Sequence, residues 1–134
     1  MGAWGVGPFD NDDAGDWVWQ LEEAEDLALV QGALEAAAHP DGDLESSPSS
    51  EALAAAEVVA ALAGHPAPDL PDEVQHWVSA HRTTVSPDLR ALALAAVERV
   101  ASDSELQELW AESDEGGDWS KRVEELRGRL GTRD

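Results

Sequence analysis

The sequence lacks cysteine altogether, and it has no long apolar segment. Without cysteine there can be no disulfide, no cysteine-bound zinc and no thiol chemistry, and nothing indicates an oxidising compartment. The segment that starts at Met1 has neither the positive charges nor the apolar stretch of a secretory signal, and the apolar runs of the chain, residues 58–63 among them, are far shorter than a membrane span. We therefore expect a cytoplasmic protein that does not contact a membrane.

Positive charge is the second shortage. The chain has 8 Lys and Arg residues against 29 Asp and Glu residues, which gives a formal net charge of −21. The first base is Arg82, and 17 of the 29 acids precede it. We expect no direct binding to nucleic acid, because phosphate backbones would be repelled. The acidity fits a high-salt cytoplasm or a genome biased towards Ala, Arg and Asp, and it also fits a cationic protein partner.

Apolar residues recur at intervals of three and four, and no useful stretch alternates as a strand would. This pattern predicts an all-α fold: a single domain over residues 1–134, built as a bundle of about five to six helices in antiparallel pairs. Residues 1–10 are predicted to be an N-terminal loop packed on the domain, and residues 39–50 a flexible linker.

Caps and stops give the predicted helix bounds. The first helix covers about residues 11–38, with Asp10 as its N-cap and a break allowed near Glu23. The helix over about residues 50–63 is apolar on most sides, which predicts that it is central and buried. The remaining helices are predicted to begin at Pro71, at Ser86, near Ser104, and at Asp118 as an N-cap.

The N-terminal residues form the most distinctive motif, Trp4-Gly5-Val6-Gly7-Pro8-Phe9-Asp10-Asn11-Asp12-Asp13-Ala14 followed by Asp16-Trp17. This start resembles the signature of the bacterial family called domain of unknown function 4259. A weaker similarity continues through residues 57–62, Trp77 and residues 104–110 to the helix that contains Trp119. The resemblance covers the whole chain and implies a stand-alone, small helical domain of bacteria. It implies no activity.

The same motif places five oxygen-bearing side chains within seven residues: Asp10, Asn11, Asp12, Asp13 and Asp16. Oxygen ligands of this kind suit a divalent cation, so the four aspartates are a candidate metal site. An EF-hand is excluded, because Ala14 and Leu21 occupy loop positions that must bind the ion. The alternative, which we favour, is that these residues cap and pack the first helix.

Tryptophan is over-represented among the aromatics, with six against one Phe and no Tyr. Trp17, Trp77, Trp110 and Trp119 fall on apolar stripes and are predicted to be in the core. Trp19 lies two residues from Trp17, about 200° around a helix, so the two cannot face the same interior. We favour packing for Trp19 as well, yet an exposed Trp is a common anchor of protein contacts. The candidate interaction residues are Trp4, Phe9, Asn11 and Trp19.

Three functional hypotheses remain open at this point. The leading one is a non-enzymatic, acidic interaction module that binds a cationic protein, for example a toxin that it neutralises. The second is a divalent-cation-binding domain or metal-dependent enzyme that uses the N-terminal aspartates. The third is a nucleic-acid mimic. We assign no catalytic or cofactor-binding residue, and the sequence indicates no oligomeric state.

Overall fold

The computed structural model of the protein describes residues 9–40, 42–81 and 84–131. These residues form seven α-helices and no β-strand, which confirms the predicted all-α class. The helices are α1 (Asp12–Glu23), α2 (Ala28–Ala38), α3 (Ser46–Leu62), α4 (Asp72–Ala80), α5 (Pro87–Ser102), α6 (Glu105–Ala111) and α7 (Gly116–Gly131). None of them is long and apolar enough to cross a membrane. Trp4 and most of the predicted N-terminal loop lie outside the described residues.

The predicted count of five to six helices is wrong because the first predicted helix is divided in two. α1 ends at Glu23, and Ala24 adopts an extended conformation while its N–H donates to the carbonyl of Leu21. α2 then begins where the amide of Ala28 donates to the carboxylate of Asp26 at 2.9 Å. The Ala24 carbonyl is not left unsatisfied by the break, since the indole Nε1 of Trp77 in α4 donates to it at 3.0 Å.

α3 is the central helix, as predicted. It contacts every other helix of the described chain, and all of its residues from 52 to 61 are buried. Most of these residues are Ala and Val, whose small side chains let neighbouring helices approach closely. The helix begins at Ser46, four residues before the predicted start, and the buried hydroxyl of Ser49 donates to the carbonyl of Glu45 at 2.7 Å. The last five residues of the predicted 39–50 linker are therefore helical.

Serine caps appear where the sequence predicts them, while two aspartate caps do not. The hydroxyl of Ser86 accepts from the amide of Leu89 at 3.1 Å, and that of Ser104 accepts from Gln107 at 3.0 Å. At α1 the cap is Asn11, whose side chain accepts from the amide of Ala14 at 2.8 Å, and not Asp10 as predicted. Asp and Asn cap about equally well, so the residue types alone did not distinguish the two positions, and the predicted cap is one residue too early.

The start of α7 also differs from the prediction. The helix begins at Gly116, so Asp118 lies in its first turn instead of capping it. Gly116 is required by a close approach, because a Cβ at this position would collide with the backbone carbonyl of Trp110. α6 and α7 meet here through stacked indoles of Trp110 and Trp119, whose ring centroids are 6.3 Å apart. The turn between the two helices is consequently tight.

One carboxylate lies inside the core. Glu57 of α3 is 0% exposed, and Arg129 of α7 donates to its two oxygens at 2.9 and 3.0 Å. Arg129 also donates to the carbonyl of His65 at 3.0 Å and pairs with Glu125 on its own helix. Burial raises the pKa of Glu57, against the opposing effect of Arg129. The pair joins α7 to the central helix.

Candidate functional site

The positive charges of the described chain are concentrated on α5 and α7, where acids of the same chain hold several of them. Arg122 makes a bidentate pair with Asp69 at 3.0 and 3.1 Å, and the hydrogen bonds from this guanidinium lower the pKa of the Asp69 carboxyl. Further ion pairs join Arg99 to Asp103, Arg127 to Glu98 and Glu124, and Arg129 to Glu57 and Glu125. In these contacts, acids of the same chain neutralise the positive charge of the arginines.

Helices α1 to α4, by contrast, contain no Lys or Arg, because the first base of the chain is Arg82. α1 packs against α4. Exposed carboxylates line the outer sides of both helices: Asp12, Asp16, Glu22 and Glu23 on α1, and Asp72 and Glu73 on α4. With no base within these helices, this surface keeps its negative charge.

A groove of about 390 Å³ lies between α1 and α4. Three carboxylates line it, together with two histidines, a tryptophan and an alanine: Glu22, Asp72, Glu73, His76, His81, Trp77 and Ala80. The rings of Trp77 and His81 are stacked with centroids 4.2 Å apart, and Nδ1 of His81 lies 2.9 Å from the Trp77 carbonyl oxygen. Because the Trp77 indole also bonds to Ala24 at the end of α1, the two walls of the groove are tied together.

Trp19 is 76% exposed, whereas its neighbour Trp17 is 1% exposed. The packing that we favoured for Trp19 is therefore wrong, and the alternative of a surface position is correct. The other four core predictions for tryptophan, Trp17 included, are confirmed. Asp16 lies three residues before Trp19 and Glu22 three residues after it, so all three share one side of α1.

Glu22 belongs both to the surroundings of Trp19 and to the lining of the groove. The exposed indole and the groove are thus neighbours on one continuous surface. We call this surface, made of Asp16, Trp19, Glu22, Asp72 and Glu73, the acidic face. Sequence reasoning named Trp19 and Asp16 but missed the groove, because α1 and α4 are about 50 residues apart in the chain.

The four aspartates of the candidate metal site lie within and just before the first turns of α1. Asp12 and Asp13 lie in the first turn of α1, where carboxylates favour the exposed amides of the helix start. The pKa of Glu51 in α3 is raised by burial and, secondly, by the negative charge of Asp13. Among residues 9–40, 42–81 and 84–131, no group of three or more acids or histidines is arranged to hold a metal ion. The metal site stays a prediction without geometric support.

Two further interaction candidates contribute to the fold. Phe9 is half-buried and packs against the core, and Asn11 caps α1. Trp4, the fourth candidate, lies outside the described residues. Of the four, only Trp19 is seen to present a large side chain to the exterior.

The fold and this surface define a class: in the described part of the chain, a small all-helical protein with an acidic outer face around the exposed Trp19. The chain belongs to the family described as domain of unknown function, DUF4259, whose model matches residues 2–122. The family predicted from the sequence is thereby confirmed. No match is found among the curated proteins or among the solved structures.

Proposed function

We propose that this protein is a non-enzymatic interaction module whose acidic surface binds a cationic protein. The observation that carries the proposal is the separation of charge. The helices before Arg82 have no base, while arginines of α5 and α7 are engaged with acids of their own chain. A surface of one sign attracts partners of the other and speeds their encounter by about 10–10³-fold at low salt.

The alternatives receive less support. A metal-dependent function needs converging ligands, and the described residues do not supply such a group. A nucleic-acid mimic is a special case of the same proposal, because it too would bind a basic partner. A toxin neutralised by the protein is another special case. All these partners share an excess of Lys and Arg on the contacting surface.

The setting and the architecture that we propose are those predicted from the sequence: one domain, working in the bacterial cytoplasm, with neighbouring helices in antiparallel pairs. The contacts of α3 with every other described helix support a single domain. The short connection between α2 and α3, residues 39–45, favours antiparallel packing of these two helices. A single cooperative unfolding transition, cell fractionation and an experimental structure would test the three points.

A native pull-down tests the interaction itself. The bait is the full chain, and the control bait is an unrelated protein of similar size and net charge. We expect a basic protein that is retained by the bait but not by the control, and that is released as salt is raised to about 1 M, where screening acts within about 3 Å. A partner set without basic proteins, or binding that is insensitive to salt, would refute the proposal.

A further inference from the structure

We infer that the cationic partner docks on the acidic face, placing an arginine side chain in the groove between α1 and α4 and covering Trp19 with an adjacent side chain. This inference rests on the proposed function and names its surface and its ligand chemistry. It begins from Trp19, which is the large hydrophobic side chain that the described residues leave exposed. Exposed tryptophans are enriched among the residues that dominate protein interfaces.

The position of Trp19 adds to its exposure. Residues three or four apart on a helix have Cβ atoms about 5–6 Å apart, so Trp19 lies within one turn of Asp16 on one side and Glu22 on the other. A cation over an indole is attracted by the electrons of the ring, and neighbouring carboxylates strengthen that attraction. The surroundings of Trp19 thus favour a positively charged contact over a purely apolar one.

The groove next to Trp19 selects the kind of cation. Its lining contains three carboxylates and the partly exposed ring of His81, which stacks on the buried indole of Trp77, and it contains no Lys or Arg. A guanidinium is planar, donates in a fork that matches carboxylates, and stacks on aromatic rings. An ammonium group is a compact tetrahedral charge, so it neither offers such a planar fork to a carboxylate nor stacks on a ring. The combination of carboxylates with the flat, partly exposed ring of His81 therefore favours arginine over lysine.

The charge of the chain excludes the other occupants. A second copy carries the same net charge of −21, and a symmetric contact through this face would oppose like carboxylates. Nucleic acid and anionic membranes are repelled for the same reason. A basic segment of another protein remains as the occupant. Since Trp19 and the groove are adjacent, two neighbouring positions of a short segment can reach both.

The test uses three labelled peptides of equal length: one rich in Arg and Leu, one with Lys in place of Arg, and one with Glu in place of Arg. Binding to the full chain is measured by fluorescence anisotropy at low salt. We expect the Arg peptide to bind more tightly than the Lys peptide and the Glu peptide not to bind. We also expect the bound Arg peptide to protect the tryptophan fluorescence of the protein from quenching by caesium. In the Trp19→Phe variant this protection should disappear.

Matched variants locate the surface. Trp19→Ala, and the triple variant Glu22→Gln, Asp72→Asn and Glu73→Gln, should each weaken the Arg peptide at least about tenfold. The control triple, Glu112→Gln, Asp114→Asn and Glu115→Gln, removes the same charge from the exposed connection of α6 and α7, helices that in the described chain pack against neither α1 nor α4. It should weaken binding no more than about twofold, through the loss of long-range attraction.

The outcomes separate the inference from the proposed function. Equal weakening by both triples, or unchanged affinity in Trp19→Ala, would overturn the docking surface while leaving a charge-driven interaction in place. Equal binding of the Arg and Lys peptides would overturn the choice of arginine. Failure of both basic peptides to bind would overturn the proposed function together with the inference. Melting curves of each variant, which alters only exposed side chains, confirm that it is folded.

Discussion

Replacing Arg129 with methionine removes the cation that faces Glu57 while keeping most of the packing volume. Glu57 is 1% exposed through its side chain and Arg129 is 14% exposed, so the pair is shielded from water. Breaking a buried pair costs about 3–5 kcal/mol, because the remaining charge has lost its partner. A domain of this size has a total stability of about 5–15 kcal/mol. The variant should therefore lose a large part of its free energy of unfolding, measured by urea titration followed by circular dichroism.

The control lies on the same helix. Arg127→Met removes a pair with Glu98 and Glu124 whose side chains are about half exposed, and it should cost at most about 1 kcal/mol. The double variant Glu57→Leu with Arg129→Met should recover most of the loss, since an apolar pair replaces two buried charges. A loss below about 1 kcal/mol in Arg129→Met, or no recovery in the double variant, would refute this account of the pair.

The dependence on pH gives an independent check. The pKa of Glu57 is already raised above its ordinary value of 4.5 by burial, and removing Arg129 raises it further. A carboxyl whose pKa is higher in the folded state than in the unfolded state favours folding at pH below the unfolded-state pKa. This contribution is lost as pH rises through the folded-state pKa. The deficit of Arg129→Met should thus be smaller near about pH 5 than near about pH 8. A deficit independent of pH would contradict the buried carboxylate as its cause.

Three further predictions concern other parts of the molecule. Gly116→Ala should destabilise the protein by more than about 1 kcal/mol, because its Cβ meets the Trp110 carbonyl, whereas Gly117→Ala, with open space around it, should be neutral or stabilising; equal melting temperatures would contradict the close approach. Arg122 lowers the pKa of Asp69, so the stabilisation by the Asp69 carboxylate is present above its ordinary pKa of 3.8 and is lost as pH falls through the lowered pKa. The Asp69→Asn variant should therefore lose less of its free energy of unfolding on acidification than the parent protein does. An equal loss in both proteins would contradict the pairing. Calcium, magnesium or manganese should not raise the melting temperature, since the described N-terminal aspartates form no ligand group; a saturable rise that the Asp12→Asn variant abolishes would revive the metal hypothesis.

Local features were the part of the fold that the sequence could predict. Caps such as Ser86 and Ser104 act within three residues, and the apolar run of α3 predicts burial whatever packs around it. The break after Glu23 was allowed for but not fixed, because its stabilising contact comes from Trp77 in another helix. Such contacts depend on tertiary packing, which the pattern of a single segment does not contain.

The candidate site was only half predictable for the same reason. The periodicity shows that Trp17 and Trp19 face opposite ways, but the choice of which is buried depends on how α1 packs on α3 and α4. Glu57 is a comparable case. It is a lone acid in a run of Ala, Val and Leu, which could have marked it as a buried charge, yet its partner Arg129 is 72 residues away.

The central position of α3 distinguishes buried residues, which tolerate little change, from outward residues, which can change more freely. A substitution at a buried position of α3 is felt by more than one neighbouring helix, because the helix touches all the others in the described chain. Asp16, Trp19, Asp72 and Glu73 lie outside the core cluster, so changes there leave the packing of α3 intact. Related chains can therefore change the charge and aromatic content of their outer surface at a handful of positions while the interior is inherited unchanged.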